Sequence, residues 1–121
     1  MATLIRLPLL ALFSFFLVAI NNGNALAQNA KKKIEVLFTT KMKKADLMKI
    51  KAEMLKKHIQ IDYREARYDA SGYLTYLDFN VDCKDGFKGG AGTNMTSATK
   101  RFGFFRDYAK GASAPFAVGF L

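Results

Sequence analysis

The chain has 121 residues, with 19 Lys and Arg against 10 Asp and Glu and a net charge of +9. That length suits one domain with a modest core. Its single cysteine excludes an internal disulfide, and one histidine beside it makes no Cys/His metal-ligand spacing.

The N-terminus reads as an export signal. Arg6 gives a positive start, an apolar run follows from Leu7 to Ile20, and Ala25-Leu26-Ala27 has the small-residue pattern that signal peptidase requires. The run is shorter than the roughly 20 residues needed to span a bilayer. A signal peptide over 1–27 is therefore expected, then a flexible stub over 28–33 and one domain over 34–121. Gln28 stands where a lipoprotein would carry its acylated Cys. The expected product is soluble, and periplasmic or extracellular.

Ile34, Val36 and Phe38 alternate as one face of a first strand. The period then changes. Leu47, Ile50, Met54 and His58, flanked by Met48 and Leu55, recur at helical spacing between Lys43 and Lys57, with most lysines outside the stripe. Asp46 near the start and Lys56 and Lys57 at the end suit the helix dipole, although Thr40 is the only good capping residue before it. His58 is expected to end the helix in the left-handed conformation that glycine usually takes.

Two strands are predicted next. Ile59, Ile61 and Tyr63 point inward, then the apolar parity moves to Ala66 and Tyr68, which predicts a bulge near Arg64-Glu65. Asp69-Ala70-Ser71-Gly72 turns the chain back. In the return strand Tyr73, Thr75, Leu77, Phe79, Val81 and Cys83 are expected on the core face, with Tyr76, Asp78, Asn80, Asp82 and Lys84 on the other. Cys83 thus reads as a small buried hydrophobe. A divalent cation could bridge Asp78, Asn80 and Asp82, but such alternation is also what any solvent-facing strand presents.

Asp85-Gly86 marks a further turn. The glycines at 89, 90 and 92 predict a mobile loop over 88–100. Arg101 to Tyr108 is read as an edge strand or a short helix, and Pro115 to Leu121 as an apolar tail docked on the sheet.

In sum the order strand, helix, strand, strand predicts an α+β fold, a βαββ core with one helix packed on an antiparallel sheet of three or four strands. The stretch from Leu47, Ile50 and Met54 through Ile59, Ile61, Tyr63 and Gly72 to Leu74, Leu77, Phe79, Val81 and Lys84-Asp85-Gly86 resembles small exported βαββ modules of bacterial envelope proteins. Such modules are appended to antirepressor-type membrane metallopeptidases of the beta-lactam-sensor class. The likeness covers about residues 34–88, and Pro115-Phe116 is in keeping with it. It departs at His58, where glycine is usual, and the peptidase's His-Glu-x-x-His motif is absent from this chain. The resemblance implies an accessory or sensing module outside the cytoplasm.

Catalysis needs a reactive group beside a base and an orienting partner. One His, one Cys and scattered carboxylates make no such set, so no enzyme, cofactor or metal site is expected. The expected role is a binding or sensing module that contacts another envelope protein. The alternative is a binder of an anionic polymer: envelope polysaccharide, lipid headgroup or nucleic acid. Lys100, Arg101, Phe102 and Arg106 are the candidate contact residues, because basic and aromatic side chains alternate there beside a glycine-rich segment. Lys100-Arg101-Phe102-Gly103-Phe104-Phe105 resembles the basic aromatic strand of RNA-recognition and cold-shock domains, with Arg101 in place of a glycine.

Overall fold

The computed structural model describes residues 32–121. The expected export signal at 1–27 and residues 28–31 of the stub lie outside the described residues. Six strands and one helix follow in the order β1 (Ile34–Phe38), α1 (Lys44–Lys56), β2 (Gln60–Tyr68), β3 (Leu74–Asp82), β4 (Lys88–Asn94), β5 (Phe102–Arg106) and β6 (Phe116–Phe120).

Leu47 and Met54 are buried on the inner face of α1, and Ile50 packs against the core beside them. The helix starts without a hydroxyl or carboxylate cap. Lys43 is the N-cap residue, and its backbone N–H donates to the Asp46 carboxylate at 2.9 Å. That is one half of a capping box, since a lysine ammonium has no acceptor to complete it. At the other end His58 has a φ of 65°. Its N–H donates to the Leu55 carbonyl and the Ile59 N–H to the Met54 carbonyl, both at 3.0 Å, which is the pair of bonds of a Schellman motif.

The molecule is mixed α and β but mostly sheet. Instead of one sheet of three or four strands there are two antiparallel sheets of three, β2-β3-β4 and β1-β5-β6. β1 pairs with β5, far along the chain, so β1 does not join β2 and β3 in one sheet. Local pattern could not reveal this, because Ile34, Val36 and Phe38 fit the edge of either sheet.

The register of β2 on β3 shifts between Tyr63 and Glu65, as the parity of the sequence predicts, and Arg64 is the extra residue. A second shift, between Arg67 and Tyr68, passes over Thr75 on β3. Leu74 therefore takes the core position, and Tyr73 and Thr75, expected inward, are exposed.

Residues 88–94 are a strand rather than part of a loop. Glycine is required there by close approach: a Cβ on Gly90 would lie 2.2 Å from Asn80 Oδ1 and 2.8 Å from the Phe79 carbonyl oxygen. β5, expected at an edge if a strand, lies at the centre of its sheet between β1 and β6. The apolar tail does dock, as β6, with Phe120 opposite Phe102 and Val118 opposite Phe104.

Phe79 is at the middle of the core. Its ring is 5.0 Å from Phe38, 5.7 Å from Phe102 and 6.5 Å from Phe104, so β3 of one sheet meets β1 and β5 of the other. Cys83 is buried at the end of β3's core face. No helix among the described residues is long and apolar enough to cross a membrane.

Candidate functional site

The basic aromatic segment is only partly a surface. Lys100 is exposed, and Arg101, at φ 48° just before β5, pairs with Glu35 of the neighbouring strand at 2.7 Å. Phe102 is 0% exposed, in ring contact with Phe79 and Phe120. It cannot stack on a ligand without leaving the core, which corrects its place among the contact residues. The cause is register: Phe102 and Phe104 share the face of β5 that meets Val36 and Phe38, so the aromatic alternation serves the core.

Arg106 lies on that same inward face at the strand's end, and its side chain is 11% exposed. Its guanidinium holds Asp85 and donates to the carbonyls of Asp107 at 2.7 Å and Pro115 at 3.1 Å. The rings of Phe87 and Tyr108 each lie 4.4 Å from its central carbon. With its donors committed in this way, Arg106 fastens the β3–β4 turn to β5 and β6 and offers little to an outside anion.

The outer face of β2-β3-β4 carries a shallow hollow of about 380 Å³ lined by Asp62, Asn80, Asp82, Lys88 and Gly90. Its carboxylates already have cationic partners. Asp62 meets Lys51 at 3.5 Å, Asp82 meets Lys84 at 3.8 Å, and Asp78 beside the hollow accepts from Arg64. Among the described residues no three His, Cys, Asp or Glu side chains are grouped to hold a metal ion. Burial, with Asp85 nearby, pushes the Cys83 thiol up to about 11, so it stays protonated and a poor nucleophile at neutral pH.

A second surface was not legible as a site in the sequence. Between α1 and the outer side of β2 runs a groove in two hollows, of about 250 and 300 Å³. Lys44, Met48, Lys51 and Leu55 form its helical wall, and residues from Gln60 to Tyr68 line the other side. Helical spacing explains the wall: these four recur every three or four residues and so share one flank, next to the face that buries Leu47 and Met54, and Leu47 also borders the groove. Met48 is 53% and Leu55 62% exposed, although both flank the buried stripe. The Tyr63 hydroxyl donates to the Leu47 carbonyl at 2.7 Å and fixes the helix against β2. Burial raises the Tyr63 pKa well above that of a free phenol, which keeps this donor protonated.

Comparison with known proteins adds no relative: no family model, curated protein or solved structure matches the chain. The resemblance to exported βαββ modules therefore rests on residue spacing alone.

Proposed function

We propose that this protein is a non-enzymatic binding or sensing module of the cell envelope that acts through contact with another protein. The observation that carries the reading is the α1–β2 groove, whose wall exposes Met48 and Leu55 two helical turns apart. Exposed apolar side chains that border a groove and are rimmed by lysines suit a protein contact, in which an apolar centre is desolvated and a polar rim stays wet. The anionic-polymer reading is weaker on the same grounds, since Phe102 is buried and Arg101 and Arg106 are engaged with carboxylates. Export, and the sensing role implied by the resemblance to envelope modules, belong to this proposal too.

The test is capture from envelope extract at low and high salt with the wild type and a Met48→Glu/Leu55→Glu variant as baits. The expected result is a partner held at both salt concentrations by the wild type and lost with the variant, while thermal melts stay alike. Capture that vanishes with salt and is indifferent to the two substitutions would favour an anionic partner instead.

A further inference from the structure

We infer that β2 is a self-pairing edge: two copies of this chain join antiparallel along β2 into one continuous six-stranded sheet. This rests on reading the α1–β2 groove as a protein-binding surface, and it names the occupant as a second copy.

β2 is nine residues long and hydrogen bonds along one side only, to β3. Among the described residues no backbone bond from outside the sheet reaches Gln60–Tyr68. An open edge of this length presents a row of unpaired backbone groups, which is the template for strand addition. Natural edges are commonly blunted by Pro, by a run of like charge, by shortness, by a bulge or by a covering element. β2 carries a bulge at Arg64, and α1 stands beside its edge across the groove, with Lys51 reaching Asp62, so the second copy's strand has to seat in that groove. β2 has no Pro, and its outward residues carry two acids and two bases.

The order of those charges selects the partner. An antiparallel pairing centred between Arg64 and Glu65 sets Asp62 of one copy opposite Arg67 of the other and Arg64 opposite Glu65. By the two-fold symmetry each pair occurs twice, so every charge on the edge meets its opposite. Tyr63 then faces Ala66, and Ile61 faces Tyr68.

The bulge makes this register work. In a regular strand residues 62 and 67 would point to opposite faces. With Arg64 inserted, Asp62, Glu65 and Arg67 lie on the outer face, while Ile61, Tyr63, Ala66 and Tyr68 turn toward the core side. Facing residues of the two copies therefore match in face as well as in charge. The bulge itself falls on the symmetry axis, where each strand's displacement meets the same displacement in its partner.

Existing contacts do not compete strongly. Asp62 is held by Lys51 at 3.5 Å, Arg67 by Glu65 at 2.6 Å and Arg64 by Asp78 of β3, with the β2 side chains about half exposed. Such surface pairs exchange readily. A polyanion would gain little from an edge with equal numbers of acids and bases, and a strongly acidic peptide would meet Asp62 and Glu65.

The test is sedimentation of the purified protein, as recovered from expressing cells, over a range of concentrations at physiological salt. Wild type should show a concentration-dependent dimer. Asp62→Arg and Arg67→Asp should each raise the dimer dissociation constant by roughly tenfold or more, because each sets like charges face to face twice. Mixing the two variants should restore the dimer, since every crossed pair is then opposite in sign, and circular dichroism should find all of them folded. A wild type that stays monomeric, a dimer indifferent to both substitutions, or a loss that mixing does not repair would each overturn the inference. The wider protein-contact reading is judged separately, by whether Met48→Glu/Leu55→Glu abolishes capture from envelope extract.

Discussion

Arg106 grips Asp85 with two nitrogens, at 2.9 Å from Nε and 2.8 Å from Nη2, across 21 positions of sequence. The pair joins the end of β5 to the turn between β3 and β4. It links the two sheets at a point where the rings of Phe87 and Tyr108 flank the guanidinium and Phe116 packs against Phe87.

Arg106→Gln is expected to cost about 2 to 4 kcal/mol, below the full value for a buried pair because Asp85 is partly exposed. Arg106→Lys should recover little of this, since an ammonium cannot hold Asp85 and two carbonyls in one plane. Denaturant midpoints of the two variants check the claim. A Lys variant with wild-type stability would reduce the site to simple charge attraction.

Phe79→Ala should cost about 3 to 5 kcal/mol, a large share of the stability of so small a domain. The ring is 0% exposed and touches Phe38, Phe102 and Phe104, so truncation leaves a void shared by both sheets. Urea titration followed by circular dichroism measures it.

Gly103 faces the backbone of β1. A Cβ there would lie 1.9 Å from the Val36 carbonyl oxygen and 2.9 Å from its carbon, and neither atom can move without shifting the strand. Gly103→Ala is therefore expected to cost more than about 3 kcal/mol, beyond the usual range for overpacking a side chain. Soluble yield and thermal melting of the variant decide it.

Cys83 supplies a pH prediction. The folded thiol is raised from 9.0 to about 11, chiefly by burial. A pKa raised on folding contributes stability that is complete below the unfolded value and is lost as pH climbs through the folded one. Stability should thus decline between about pH 9 and 11, and less so in Cys83→Ala. At neutral pH the native thiol should resist a disulfide reagent until denaturant is added, and rapid labelling of folded protein would contradict its burial.

Because Arg106 is built into the fold, a test of anion binding has to use Lys100 and Arg101. Lys100→Gln/Arg101→Gln should leave heparin-column retention nearly unchanged if the protein-contact reading holds. A fall of about two in the log–log salt slope for duplex nucleic acid would restore the anionic alternative.

Much of the local structure was legible because it depends on near neighbours. The period-two face of Leu77, Phe79, Val81 and Cys83, the bulge at Arg64, the left-handed end of α1 at His58 and the Asp85-Gly86 turn all follow from spacing and backbone preference. The glycine-rich stretch misled because its fitness as β4 depends on Asn80 and the Phe79 backbone across the sheet, contacts that the glycines themselves do not encode. Phe102 and Arg106 misled for a related reason: alternating basic and aromatic residues describe a binding strand and a central core strand equally well. What decided between them was the pairing of β5 with both β1 and β6, a long-range choice that turned Phe102 inward and gave Arg106 to Asp85. Exposure of Met48 and Leu55 was decided the same way, since helical period fixes which residues share a flank and only the placement of α1 against β2 fixes which flank stays open.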